Sequence, residues 1–404
     1  MFHLILFFMK KFLLGAAVVC LAFTSCVKDE PKAQLVRRAV TFDAPVMYGN
    51  EMTRANVYGE IGSHNENGST YTYPSAEEFV IYAVGHTSDF TSWDDATPAA
   101  FSGMSLAYDL NVDGWAPKTD DDHYFYWEQG RKMSYAACSP ADLEQAHWAG
   151  ADKRSYDGEG LSIEDFQVSN DASKQYDLLF STRVCNATAG DMNHNAQYYS
   201  GLPVKFQHAL SSIRFSIANS SEESVHLTSI TVSGVKYKGN FNENIVEDDQ
   251  APTLYDREEG GNVSPEWTVD DVLVANPYVA FEGNIQFYEE PRYVSQIVSQ
   301  VGGSGNVCNQ LLLMPQELTD DAEVTVNYKV NGRANSKTVN LKGLQSYKKV
   351  NNEDVVTGTV SSWEMGKRYT YRLYYSSATA DRDKIYFAPS TDEWQDVDVI
   401  IVNL

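Results

Sequence analysis

Val204-Lys205-Phe206-Gln207-His208-Ala209-Leu210-Ser211-Ser212-Ile213-Arg214-Phe215-Ser216-Ile217 reads as two consecutive strands. In the second run, Ile213, Phe215 and Ile217 alternate with Arg214 and Ser216. A period of two sends successive side chains to opposite faces, as in a strand with one face buried. In the first run, His208 falls in line with Phe206 and Leu210 and reads as a half-buried strand histidine. Ser211 and Ser212 lie close by in sequence, but neighbours on one strand do not form a catalytic relay.

The rest of the chain repeats the pattern. Val40, Phe42, Ala44 and Val46 alternate with Thr41 and Asp43, and Phe79 to Val84 is a nearly unbroken apolar run. Tyr124 to Trp127 and Lys132 to Cys138 form a prospective strand pair; Ile230 to Val235, Val324 to Val330 and Tyr369 to Tyr375 add further strands. Short strands at regular spacing with turn residues between them predict an all-β fold of two β-sandwich domains in tandem. Helical periodicity is nearly absent; Ala141 to His147 is the single short helix expected, and Asp165 starts no more than a turn. Asp152 to Gly160, Ala187 to Gly201 and Asp248 to Pro265 read as irregular, and Gly302 to Gly305 as a flexible turn. A domain boundary is placed near Gly201, giving an N-terminal domain over 26–200 and a C-terminal domain over 201–404.

The chain has 404 residues, 43% of them hydrophobic and 12% aromatic, which excludes a disordered protein. Its formal net charge of −24 repels nucleic acid and anionic membrane surfaces. Cys138, Cys185 and Cys308 lie far apart with no CxxC spacing; one pairing is open to them, but buried free thiols fit better. No HExxH, GxSxG, P-loop or dinucleotide-binding glycine motif occurs. Asp109 to Gly114 copies the first half of a calcium loop, with Asp120 at its twelfth position. Its flanks are not helical and Pro117 interrupts it, so a solvated turn is the simpler reading. No catalytic residue, metal site or cofactor is expected, and the protein reads as a non-enzyme.

At the N-terminal end, Lys10 and Lys11 follow Met9, which reads as the natural start. The apolar run Phe12 to Ala22 then leads to Phe23-Thr24-Ser25-Cys26. A basic start, a short apolar core and small residues before a cut form a secretory signal over residues 1–25. The run is shorter than the about 20 apolar residues a membrane span needs. Cys26 at the cut resembles the lipobox of bacterial lipoproteins, although Phe23 replaces the usual aliphatic residue. Val27-Lys28-Asp29-Glu30 resembles the acidic export signal of surface lipoproteins in the Bacteroides group. An ordinary signal peptide that happens to contain Cys26 is the alternative.

Three sets of residues carry a wider resemblance. Asp177 to Phe180 with Val204 to Phe215, Tyr124 to Trp127 with Met133 to Pro140, and Trp363 to Tyr371 with Ile385 and Trp394 occur in an order similar to that of the fimbrillin family of Bacteroidales. The resemblance implies two transthyretin-like β-sandwich domains and a surface lipoprotein precursor of a type V pilus subunit. It further implies that an arginine-specific protease removes an early strand and that the C-terminal strand of the next subunit fills the groove. Val40 to Val46 is the matching early strand; Arg54-Ala55 is the first candidate cut, and Arg37-Arg38 precedes the strand and would not release it. A solvated loop arginine is the simpler alternative for Arg54.

The run Trp394 to Leu404 matches the donor strand, with Val397, Val399 and Ile401 pointing one way and Ile400, Val402 and Leu404 the other. At about 3.3 Å per residue it reaches roughly 36 Å, the breadth of a sandwich. A final strand that pairs within its own domain would give the same pattern. The expected partners are other fimbrial subunits, the outer membrane through lipid on Cys26, and host or bacterial surface ligands, with no nucleic acid. A monomeric glycan-binding or adhesin lipoprotein is the alternative; a secreted hydrolase has no specific carboxylate pair to support it.

Overall fold

The computed structural model of the protein describes residues 41–42, 46–47, 78–87, 99–110, 114–117, 125, 130–141, 153–157, 159–181, 183–188, 202, 204–244, 264–301, 306–350, 353–376, 385–386, 395–396 and 399–401. They are nearly all β. Four larger sheets and a two-stranded ribbon account for the described strands.

The first sheet runs from Val46–Met47 through Lys205–His208, Leu179–Ser181, Lys132–Ser139 and Phe79–His86 to Ala99–Asp109 and Gly114–Ala116, with Val184–Ala187 also on Lys132–Ser139. Phe79–His86 lies in its middle and is buried on both faces, which is why its sequence is almost unbroken in apolar residues. Phe79, Ile81 and Ala83 face one core with Phe42, Trp115, Tyr135 and Phe206. Val80 and Tyr82 face the other and join a larger cluster.

That cluster draws on both halves of the chain and lies largely between C-terminal sheets. One of its sheets is Val307–Cys308, Tyr278–Gln286, Val225–Ser233, Glu323–Val330 and Arg333–Asn340. The other is built on Ser211–Asn219 and Lys367–Tyr375, which pair in parallel from Ser212 opposite Arg368 to Asn219 opposite Tyr375. Ile213, Phe215 and Ile217 enter the core as their alternation predicts, with Tyr369, Tyr371 and Leu373 beside them.

A fourth sheet is made from both halves of the chain. Arg154–Asp157 and Gly160–Gln167 form a hairpin, and Gly160–Gln167 pairs with Lys238–Asn242, which pairs with Glu266–Val269. Phe180 from the first sheet packs on Phe241 with ring centroids 5.1 Å apart, and Trp267 lies 5.3 Å from Phe241. The stretch Asp152 to Gly160, expected to be irregular, is therefore largely strand. Its hydrophobic content is low because Arg154–Asp157 is a sheet edge with only partial burial. The backbone pairing of Gly160–Gln167 with Lys238–Asn242 crosses the position near Gly201 at which the chain was divided.

Helix forms elsewhere than expected. Val294–Val301 is an α-helix, with Val294 and Ile297 buried. Val294, Ile297, Val298 and Val301 stand at i, i+3, i+4 and i+7, so the signal was present, but two apolar turns framed by β-branched residues also suit a strand. Of the expected helix 141–147 only Ala141 is described, as a bend. Asp165 lies within a strand, with φ at +55.

The register of Gly160–Gln167 against Lys238–Asn242 shifts between Gly239 and Phe241, beside the residues that pair near Asp165. Asp165 contacts Lys153 and sits 2.9 Å from Lys238. Hydrogen bonds from these lysines, Lys153 first, hold its carboxyl at about 2. Because the folded value lies below the ordinary carboxylate range, any stabilisation is present above that range and is lost as pH falls toward 2. Carboxyl NMR should find Asp165 titrating near 2 while exposed aspartates titrate near their usual values.

Gly234 turns the chain at φ +67, and a Cβ there would lie 1.7 Å from the Asp321 carbonyl oxygen. Gly332 has φ +83 with nothing within 4 Å. Gly332→Ala should cost about 1 kcal/mol, the strain of a left-handed alanine. Gly234→Ala should cost clearly more, since backbone must also move, and denaturant midpoints of the two variants separate the effects.

Candidate functional site: the two chain-end segments

Phe42 is completely buried. Its N–H donates to the Trp115 carbonyl at 2.7 Å, and its own carbonyl accepts from the Trp115 N–H at 2.9 Å. On its other side it bridges Leu202 in parallel, and the Leu202 N–H donates to the Thr41 carbonyl at 2.8 Å. Its ring meets Tyr135 edge-on at 5.1 Å. Val46–Met47 continues in the same direction as Lys205–His208, with Val46 opposite Lys205 and Met47 opposite Phe206.

Phe42 thus lies between Trp115 and Leu202 and its phenyl ring joins the N-terminal core, while Val46–Met47 pairs on one side, with Lys205 and Phe206. Gly114 permits this approach, since a Cβ there would lie 2.9 Å from the Phe42 carbonyl oxygen. The alternation of Val40 to Val46 pointed to this segment. Its partners Trp115 and Leu202, far away in sequence, carried no local signal.

The terminal strand is also held within a sheet. Gln395–Asp396 runs parallel to Lys367 and Arg368. Val399–Ile401 lies between two neighbours: parallel to Tyr371 and Arg372, and antiparallel to Gln345, Ser346 and Tyr347. The hairpin Gln345–Val350 with Glu353–Thr359 is joined to the sheet through Val399–Ile401. Val399 and Ile401, both expected donor-strand residues, are therefore paired with their own chain. Val397, Val402 and Leu404 lie outside the described residues, as do Cys26, Arg54 and Ala55.

Other sequence features settle elsewhere. Asp109 pairs with Gly114 in a hairpin, which accounts for the half-match to a calcium loop; Asp120 lies outside the described residues. Among the described residues no cluster of His, Cys, Asp and Glu has the arrangement of a metal site. His208 is almost buried, with Nδ1 2.7 Å from a carboxylate oxygen of the fully buried Asp177. Asp177 begins the run Asp177 to Phe180 quoted above, yet its pairing needed the register of Leu179–Ser181 against Lys205–His208 to become visible. Cys138, Cys185 and Cys308 are in no disulfide, and burial pushes the Cys308 thiol up to about 12. Phe125 belongs to no strand, and the rest of the expected strand Tyr124 to Trp127 lies outside the described residues.

A sequence model described as fimbrillin-like matches residues 69–385, over three quarters of the chain. The chain belongs to the fimbrillin-like family. No curated protein matches this fimbrillin-like chain. Among solved structures, it is similar to a candidate cell adhesion protein of Bacteroides uniformis at 9% identity and TM-score 0.41, covering 92% of this chain and 98% of that one. A candidate cell adhesion protein of Bacteroides ovatus gives 12% identity, TM-score 0.40 and coverage of 89% and 99%. A fimbrial protein of Bacteroides ovatus gives 14% identity, TM-score 0.33 and coverage of 84% and 50%. Family membership rests on the sequence match alone.

Phe42→Ala should destabilise the protein by about 3–5 kcal/mol, the range for emptying a buried phenyl site. Equilibrium unfolding measures the loss. A smaller change, below about 1 kcal/mol, would mean that the early segment contributes little to the core.

Proposed function

We propose that this fimbrillin-like protein is a structural and adhesive pilus subunit that assembles by strand exchange. It is exported as a lipoprotein through residues 1–25 and lipidated at Cys26, which tethers it to the outer membrane at the cell surface. Cleavage between Arg54 and Ala55 then separates the early strand, with its lipid, from the rest. The chain is read as two sandwich domains divided near Gly201 and joined by the sheet they share. Its partners are other fimbrial subunits and surface ligands on host or neighbouring bacteria.

The observation that carries this reading is the position of Phe42. A segment bonded on both sides and buried in the core leaves unpaired backbone and an apolar groove when it is withdrawn. Exposed backbone edges of that kind recruit another strand. Tyr135, Phe79, Trp115 and Phe206 form the apolar surroundings such a groove would offer. Val397 to Leu404 supplies a strand rich in β-branched residues for a second subunit, with Val397, Val399, Ile401, Val402 and Leu404 as its anchors. Main-chain hydrogen bonds supply the affinity, and the alternating side chains set the register.

The pairing of Val399–Ile401 at both edges adds a requirement. A donor strand must first leave Gln345–Val350 and Lys367–Tyr375, so free subunits exchange slowly. A synthetic peptide covering 394–404 carries no such restraint and should occupy trimmed subunits faster than a whole subunit does.

Treatment with an arginine-specific protease should yield a product that begins at Ala55 and forms detergent-resistant ladders. Arg54→Lys should leave the chain uncut there and monomeric. A trimmed chain that ends at Asp396 should form no ladder but should still bind the peptide. Trimming at Arg54 that gives only stable monomer, which binds no peptide, would refute strand exchange.

A further inference from the structure

Almost every ladder among the described strands is antiparallel. The exceptions are Val46–Met47 with Lys205–His208, Ser211–Asn219 with Lys367–Tyr375, and Lys367–Tyr375 with Gln395–Asp396 and with Val399–Ile401. These parallel pairings form one connected route. It begins at the early segment, follows Lys205–His208 through Ala209 and Leu210 into Ser211–Asn219, crosses to Lys367–Tyr375 and ends at the terminal strand. We infer that this route is a mechanical clamp: the ladder between Ser211–Asn219 and Lys367–Tyr375 carries tension between the N-terminal groove and the C-terminal strand, and carries it in shear.

The direction of the strands decides this. A pull from the N-terminal groove enters Ser211–Asn219 at its Ser211 end. A pull from the C-terminal segment enters Lys367–Tyr375 at its Tyr375 end. Because the strands are parallel, the two forces act in opposite directions along the ladder. All eight residue pairs from Ser212–Arg368 to Asn219–Tyr375 are then loaded together. An antiparallel arrangement of the same strands would bring both pulls to one end and open the pairs in turn.

Side chains cross-link the same ladder. Arg214 Nε donates to Thr370 Oγ1 at 2.7 Å, and the guanidinium also donates through Nη2 to the Tyr293 hydroxyl at 2.9 Å while lying over its ring. Arg368 is buried, with Nε 3.4 Å from Ser212 Oγ. On the core face Phe215 stacks on Tyr371 with centroids 5.9 Å apart, and the Trp363 indole N–H donates to the Tyr371 hydroxyl. At the loaded end, the Ser211 hydroxyl donates to the Glu364 carbonyl and the Gly366 N–H donates to the Leu210 carbonyl. The chain cannot slide at Ser211 without breaking these bonds.

The physiological meaning rests on the assembly proposed above, in which neighbours pull on these two places; the clamp itself is testable in a single chain. Handles are attached through azide-bearing residues substituted at Lys205 and Ser376, which load the ladder in shear, or at Ser220 and Ser376, which open it from one end. At equal constant force the shear-loaded chain should survive at least about tenfold longer. Thr370→Val removes the hydroxyl acceptor with little change of shape, and Arg214→Ala removes the donor. Each should shorten the shear lifetime by several-fold and affect end-on opening much less. Equal lifetimes in the two geometries would overturn the clamp, as would a shear lifetime unchanged in Thr370→Val. Long shear lifetimes from a protein that never forms ladders would leave the clamp standing and refute the assembly reading alone.

Discussion

The fold depends on one continuous run of chain, Lys205 to Asn219, that belongs to two sheets. Its first part pairs with Val46–Met47 and Leu179–Ser181, and its second part pairs with Lys367–Tyr375. The transfer occurs at Ala209 and Leu210, both buried. The Ala209 N–H is bonded back to the Leu178 carbonyl, and the Leu210 carbonyl accepts from Gly366. Burying backbone outside a ladder is tolerable only when its polar groups find partners in this way. Once they do, the two sheets cannot move independently, and the sheet beside Val46–Met47 and the sheet of Lys367–Tyr375 share a single piece of main chain.

The shared sheet fixes the same two halves from another direction. Lys238–Asn242 completes a sheet begun by Arg154–Asp157 and Gly160–Gln167. Beside it the buried Glu243 accepts the Leu161 N–H at 2.9 Å. The hydroxyl of the half-buried Tyr156 is kept protonated foremost by desolvation and then by the Glu243 charge, while Arg183 donates to it. A buried polar group of this kind is tolerated because its partners are in place, and removing one member would leave the others unsatisfied. The segments that would exchange lie outside this centre, at the beginning and end of the chain.

Legibility in the sequence followed the range of the interaction. Ile213, Phe215 and Ile217 were readable as a buried row because alternation is local. Phe79 to Val84 was readable as a buried strand because an unbroken apolar run is also a local signal. The Val294–Val301 helix was missed although its spacing was helical, since β-branched residues favour either state until packing decides. Arg154–Asp157 was missed because a polar edge strand resembles a loop. The early segment and the terminal strand were recognised as strands, but Trp115, Leu202, Gln345–Val350 and Lys367–Tyr375 as their neighbours were not.

By itself the sequence determined the β character of the chain, the apolar rows that form its cores, its strongly acidic surface and the two strands at its ends. Each is a property of composition or of spacing over a few residues. Only the tertiary structure decided that Phe42 is enclosed on both sides, that Val399–Ile401 lies inside its own sheet, and that Ser211–Asn219 and Lys367–Tyr375 run parallel over eight pairs. Those are matters of register and direction between segments as far apart as Ser212 and Arg368. Many pairings would bury the same residues, and the choice among them is made by the packing of the whole.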